Sequence, residues 1–544
     1  MFKISITRFN RLILGILLAL TSSIWAQAIT VSINHPINKF ISQQVVKNNL
    51  PSSLISKRPI QLNQIHQALD ELKRNSNTLS KTERLIVQRF RAEFGYPAPT
   101  NKPEFITSGQ PKPVVIKSDL LVYTSDHWEP HILSYNDQDL ALWGDFIETI
   151  NHQTGKAGNY LAYQDGFQLA GFTKSGLSFY SKYTQNRFMG SSQQYLQSQV
   201  YFNELSNFFD QAQATIWYQT EASLLYSTKD FEFGWSKTPI YWGFSSNHSP
   251  ILSANVQPIA HLKANYSNDK LNFSFINGSL LPFNSNTIHD SSYSAVKRIT
   301  AHRLEIALND KWTVSFTELL IYGHRASEIS YMIPTLWFWA EEHNLGDRDN
   351  VLLACDSYYK YRPGLAFYQS LLIDELSWSK LFKDWWGNKF VLQLGLHWIP
   401  TTLKSTMDIR IEATVARPWV YTHEDSLNNF TSAELGLGFP LGPNCQTIYL
   451  ETNWWYSHRG ILSLELLYKL SGSGLGSDPN DDYDFRDESL DFDTPYILGT
   501  RSTEVIAGLN NRYKFSRMVE FYNLLEYNSQ TRSFRLETGI KIDI

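Results

Sequence analysis

Four stretches of this 544-residue chain combine flat aromatic rings with forked polar groups. Tyr241, Trp242, Asn247 and His248 form one. Arg325, Trp337, Trp339, Glu341 and Glu342 form another, Trp385 and Trp386 a third, and Trp419, Tyr421 and His423 a fourth. Such rings stack on the C–H faces of sugars, while amides, carboxylates and guanidinium groups bond sugar hydroxyls, so the chemistry on offer is carbohydrate recognition. A second candidate is the acidic run Asp478 to Asp493. Asp478, Asp481 and Asp482 sit close enough in sequence to be weak candidates for a Ca²⁺ loop, although the EF-hand spacing is absent and a solvated acidic loop is the preferred reading of the run. Catalytic motifs do not occur: there is no G-x-S-x-G, H-E-x-x-H, CxxC or Walker loop, and His152, His302 and His397 are scattered. No enzyme activity and no cofactor are therefore expected. A net charge of -4 with no basic run argues against a nucleic-acid partner.

The elements that carry these residues are strands. From Arg532 to the C-terminus, Phe534, Leu536, Thr538, Ile540, Ile542 and Ile544 alternate with Arg535, Glu537, Lys541 and Asp543. Asp408–Val415, Leu462–Leu470, Thr447–Trp454 and Thr300–Leu308 show the same period of two, apolar on one face and charged on the other. One lipid-facing side and one wet side is the pattern of a membrane barrel. Half of the strand positions then face water, which accommodates a mean hydropathy of -0.30. No uninterrupted apolar run reaches the ~18 residues of a helical span. Sixteen Trp and 29 Tyr would supply interfacial girdles, and any single loop tryptophan is as readily a girdle or mouth residue as a sugar platform. Pro334–Trp339 is apolar enough to fold into the barrel as a constriction.

Short turns alternate with long loops back along the chain. The short ones are 514–517, 456–460, 400–405, 361–363, 309–310 and 267–268; the long ones are 472–501, 417–445, 377–387, 323–349, 279–297 and 238–256. Carried back to about Asn159, this alternation predicts a closed antiparallel barrel of about 18 strands over 159–544. A secreted sandwich or propeller is the competing fold, but no blade repeat is visible.

Residues 1–28 read as a secretory signal: Lys3, Arg8 and Arg11, then the apolar run Leu12–Leu20, then Ala26-Gln27-Ala28. Residues 29–105 read as a small periplasmic helical domain. One helix follows His35-Pro36 with Ile37, Phe40, Ile41 and Val45 on a stripe, a second carries Leu62, Ile65, Leu69 and Leu72, and a third starts at the capping box Ser80–Glu83. Asn101–Pro113 reads as a linker, and 106–158 as linker plus a β segment of uncertain role. Cys355 and Cys445 could pair in an oxidising compartment or remain free.

Several segments resemble the capsule assembly Wzi family of outer-membrane proteins. They are His35-Pro36 with Phe40 and Arg58-Pro59; Tyr241-Trp242-Gly243 with Ile251–Pro258; Asn350–Asp356 with Tyr368–Glu375; and Pro418–His423 with Leu441–Asn444. The resemblance spans nearly the whole mature chain, departing at its end, where Ile544 stands in place of a terminal aromatic. It implies an 18-stranded barrel with a periplasmic helical bundle, and a lectin-like protein that holds capsular polysaccharide at the cell surface without being its export channel.

The expectation is thus a non-catalytic, monomeric protein of the bacterial outer membrane, helical domain in the periplasm and long loops outside. Its partners are surface or capsular polysaccharide and outer-membrane lipid. The alternative is a diffusion porin or transport channel. Mixed-sign charges on the inner faces (Arg303, Glu305, Arg410, Glu412, Glu451, Glu465, Arg535, Glu537) favour a lumen filled by ion pairs over an open pore lined by one sign.

Overall fold

A computed structural model describes residues 29–94, 133–136, 139–155, 158–190, 209–211, 214–282, 296–375, 378–380, 383–400, 406–516 and 519–543. The signal segment, the Asn101–Pro113 linker and Ile544 lie outside them.

Eighteen long strands close into one antiparallel barrel. They are β1 Leu140–Gly155, β2 Gly158–Thr173, β3 Leu177–Gly190, β4 Ala214–Ser227, β5 Phe231–Thr238 and β6 Ile259–Ser267. Next come β7 Leu271–Leu280, β8 Lys297–Ala307, β9 Trp312–Gly323, β10 Asn350–Arg362, β11 Leu365–Glu375 and β12 Lys389–Trp398. The last six are β13 Thr406–Ala416, β14 Cys445–Trp455, β15 Gly460–Ser471, β16 Ser502–Lys514, β17 Val519–Asn528 and β18 Ser533–Asp543. Consecutive strands pair, and β18 closes the ring on β1 from Arg535 opposite Gly155 to Asp543 opposite Ile147. The predicted alternation sets the faces. Ile411, Ile448, Leu464 and Leu466 are exposed on the outer wall, whereas Asp408, Arg410 and Glu412 are buried toward the lumen. Trp312 with Tyr359, Trp454 with Tyr456 and Phe515 with Phe521 form an exposed aromatic belt near the short-turn end.

The first strand starts at Leu140, not near Asn159. Its alternation is blurred on both faces, which hid it: Phe146 and Ile150 face out beside Glu148 and His152, while Ile147 faces in beside Asp145 and Gln153. The loop Arg417–Asn444 forms no barrel strand, only a small hairpin pairing Thr431–Ser432 with Leu435–Gly436.

The three helices α1 Pro36–Val46, α2 Leu62–Arg74 and α3 Lys81–Glu93 form where the sequence places them. Pro36 opens α1 and His35 Nδ1 accepts from the Ile37 amide. Ser80 and Glu83 cap each other at the start of α3. Glu83 is also held by Lys47 Nζ at 2.6 Å and Gln44 Nε2 at 2.7 Å. These helices enter the short-turn end of the barrel. Lys39 Nζ reaches Glu451 at 3.0 Å and Asn453 at 2.7 Å; Arg410 donates to Ser42 Oγ at 2.7 Å; the Gly364 amide donates to Val46 O at 2.9 Å. Phe40 and Phe90 pack edge-on against Trp455. Most of α1 is buried, so the bundle is a plug whose apolar core continues into the barrel wall.

Candidate functional site

From the opposite end, loop 239–258 turns down into the lumen. Tyr241–Trp242 pairs on one side with Leu252–Ser253 and on the other with Lys57–Arg58 of the plug, making a three-stranded sheet inside the barrel. Arg58 donates to the carbonyls of Ser245 and Ser246 and lies 3.7 Å over the Tyr241 ring. Glu412 on the inner wall accepts from Ser245 Oγ at 3.0 Å, the Ser246 amide at 2.9 Å and Tyr368 Oη at 2.6 Å. Tyr241 and Trp242 are therefore buried and present no face to a polymer. Asn247 is exposed and His248 half-buried, its ring set edge-on to Tyr449 with centroids 4.6 Å apart. Some of the lumen charges pair with each other, while Glu451 is met by Lys39 of the plug and Arg410 by Ser42 and His397. Arg303 grips Asp356 with two bonds, at 3.0 and 2.9 Å, and Arg535 lies 3.1 Å from Glu537. A cavity of about 840 Å³ remains beside the plug, lined among others by Lys57, Glu232, Lys263, Ile240 and Trp242.

Trp419 and Tyr421 are also structural. Both are buried, with φ of 67° and 78°. Tyr421 Oη donates to Pro250 O at 2.7 Å and accepts from the Phe439 amide at 3.0 Å, tying loop 417–444 to the inward loop. His423 is half-buried, and burial followed by the Lys389 charge lowers its pKa. The Arg325 guanidinium is taken up by the Asp349 carboxylate. Pro334–Trp339 makes no constriction. It lies against the outer wall, because Glu318 and His302, on outward positions of β9 and β8, bind its backbone.

Of the four aromatic stretches, Trp385-Trp386 is brought into an open polar cleft. Its partner is the acidic loop after β15. Trp386 packs 5.2 Å from Tyr483, its amide donates to Asp491 O, and Arg486 lies 4.1 Å over its ring. Lys380 stands 4.0 Å over Trp385 and 5.2 Å from Phe492; Lys389 stands 4.3 Å over Tyr483. Arg417 lies 4.6 Å over Tyr496. Phe485, Phe492 and Tyr496 remain open to solvent at 74%, 71% and 48% exposure. The cleft thus offers free ring faces beside cations and carboxylates, the pairing that stacks on sugar faces and bonds hydroxyls or acidic substituents. Burial first, then the nearby acids Glu375, Glu424 and Asp484, raises the Tyr483 phenol, so it stays a neutral donor. In the sequence, Tyr483, Phe485, Phe492 and Tyr496 lie in or beside the acidic run, whose charges mask their rings as a signal.

Among solved structures the chain superposes on Wzi of Escherichia coli, described as an outer membrane protein involved in group 1 capsule assembly and a carbohydrate-binding β-barrel. The TM-score is 0.59 at 11% identity, covering 95% of this chain and 99% of that one. The chain has the Wzi fold. OprD and opdK of Pseudomonas aeruginosa align with TM-scores of 0.40 and 0.43, at 11% and 8% identity, over 75% of this chain and 94% and 99% of theirs. No known family model and no curated protein matches this chain.

In this Wzi-fold barrel the carboxylates of Asp478, Asp481 and Asp482 bond their own loop. Asp481 Oδ2 accepts from the amides of Gly476, Ser477 and Asp478 at 2.7 to 3.0 Å, Asp478 binds Asn480, and Asp482 caps the turn at Asp484. Short polar side chains bonding nearby amides are what such turns require. Among the described residues, the three carboxyl and imidazole groups that approach one another closely enough for a metal are Glu342, His343 and Asp347. Cys355 and Cys445 are free.

Proposed function

We propose that this protein is a non-catalytic outer-membrane barrel that holds surface polysaccharide, of the capsular kind, at its long-loop mouth, with the helical plug on the periplasmic side. One observation carries the reading. The chain lays the sheet of residues 57–58, 241–242 and 252–253 across its lumen, where plug and inward loop meet, and leaves exposed rings among cations at the mouth. A lumen crossed by plug and loop suits a diffusion pore poorly, and a cleft of free rings suits a long polymer that need not enter. We take the protein to be a monomer; the barrel closes within one chain. The test pairs two measurements on purified protein: binding of the cell's own surface polysaccharide, and planar-bilayer conductance. Saturable binding without large steady conductance is expected; large steady conductance with no binding overturns the reading.

The cavity beside the plug favours a second reading, a gated transport channel. A channel must open, so conductance induced by a small solute in the protein with its plug intact separates the two.

A further inference from the structure

The outer wall between β8 and β10 carries a feature that neither the plug nor the mouth explains. On β9, Ser315 and Thr317 bond Arg303 in the lumen, so even-numbered residues point outward, and Phe316 is 54% exposed there. Glu318, Leu320 and Tyr322 share that outward face yet are almost fully buried. What covers them is loop 324–349, folded down over the outside of the barrel. Glu318 accepts from the Phe338 and Trp339 amides at 2.9 and 2.7 Å, starting the short helix α4 Phe338–Asn344. His302 lies 3.0 Å from Glu318 and stacks on Phe338 at 4.6 Å. Thr300 donates to Tyr331 O at 2.9 Å. Polar groups on the outer wall are thus sealed under the loop.

The side of the loop turned away from the barrel is apolar. Ile329 is 77% exposed, Ile333 48%, Trp337 74% and Trp339 55%. Thr335 is the one exposed polar residue within this stretch; the others lie outside it, at His324 before and at His343, Asn344, Asp347 and Arg348 after. Height decides what meets this face. A strand rises about 3.3 Å per residue, and a tilt of about 40° leaves roughly 2.5 Å along the membrane normal. Glu318, six positions beyond the belt residue Trp312, then stands about 15 Å above it, inside an apolar band about 25 Å tall. Leu353, the cross-strand neighbour of Glu318, is 42% exposed on the same wall, so the face is continuous with the lipid-facing surface.

We propose that residues 329–339 are embedded in the outer leaflet, with Ile333, Trp337 and Trp339 against lipid acyl chains and the 343–348 turn at headgroup level. This deepens the outer-membrane reading and rests on it. The two tryptophans are lipid anchors, and polysaccharide is not their ligand. A loop fixed this way holds the mouth at a set height above the membrane, where a surface polymer must be met.

The test uses the full chain with Cys355→Ala, reconstituted in phospholipid vesicles, with a nitroxide placed in turn at Ile333→Cys, Trp337→Cys, Phe316→Cys, Leu464→Cys and Phe485→Cys. Accessibility to oxygen and to a water-soluble nickel chelate is read by power saturation. The expected result is an oxygen-to-nickel ratio at 333 and 337 several-fold above that at 485 and similar to that at 316 and 464. Nickel access at 333 like that at 485 overturns the proposal, as does protection from both reagents or spin–spin broadening, which would mean a second chain covers the face. If 316 and 464 are also nickel-accessible, the membrane reading itself fails; if they lie in lipid and 333 does not, the anchor alone fails.

Discussion

Arg58 and Tyr241 face each other across an antiparallel ladder inside the barrel, the guanidinium 3.7 Å over the ring. One belongs to the plug that enters from the short-turn end and the other to a loop that descends from the long-loop end. Their contact joins the two closures into one barrier. A desolvated cation–π pair of this kind contributes about 2 kcal/mol. Arg58→Ala and Tyr241→Ala should therefore couple in a double-mutant cycle, read from amide exchange of residues 57–58 and 241–253, and Arg58→Ala should give brief openings in bilayer recordings. Additive single effects would show that the two closures are independent.

Acid should loosen the plug through Glu83. Burial by itself raises this carboxyl, but the Lys47 charge and the hydrogen bonds from Lys47, Gln44 and the Ser80 amide outweigh it and hold the pKa below the ordinary range. A carboxyl depressed in the folded state adds stability above its unfolded pKa of about 4.3 and loses it as pH falls through the folded value. Amide exchange across α1 and α3 should accelerate below about pH 4. Glu83→Gln should cost about 1.5–3 kcal/mol at neutral pH, the range for hydrogen bonds to charged groups, and flatten the acid limb. Glu93, also depressed against its burial by Arg89, Lys514 and His35, sets what slope remains. An acid limb unchanged in Glu83→Gln would refute the assignment.

Removing divalent ions should leave the acidic loop intact, whereas Asp481→Ala should unsettle it. One carboxylate oxygen of Asp481 receives three backbone amides, the work of a cap, and losing such a cap costs about 1–2 kcal/mol. Limited proteolysis within 474–493 reads the difference. Protection lost on chelation, with Asp481→Ala behaving as the parent, would restore the metal reading.

How much of this could be seen beforehand follows from which interactions are local. Strand faces were legible because a period of two reports directly on lipid against lumen, as in Asp408–Val415, and the Ser80–Glu83 cap and the Ile37–Val45 stripe are contained within single helices. β1 was legible only as a β segment of uncertain role within 106–158, because Glu148 and His152 break its apolar face. Aromatic residues in loops were legible in type but not in place. Nothing near Trp242, Trp339 and Trp386 in sequence says that one enters the lumen, one lies on the outer wall and one stays at the mouth. Those fates are set by Lys57, Glu318 and Tyr483, partners far away in sequence.

The aromatic residues should therefore divide by place when tested for polymer binding. Phe485→Ala and Phe492→Ala remove exposed faces that pack against little of the barrel, so folding is retained, and each should weaken binding of purified surface polysaccharide by about 1 kcal/mol, roughly five-fold, the scale of a ring contact. Trp386→Ala should cost more, because Arg486, Lys389 and Tyr483 are all positioned against its ring. Trp337→Ala and Trp339→Ala, which sit on the outer wall, should leave affinity in detergent unchanged. Titration of the immobilised full-length protein with the polymer gives all five affinities. Loss confined to the outer-wall pair would move the binding site out of the mouth cleft, and equal affinity in all five would remove the cleft from consideration.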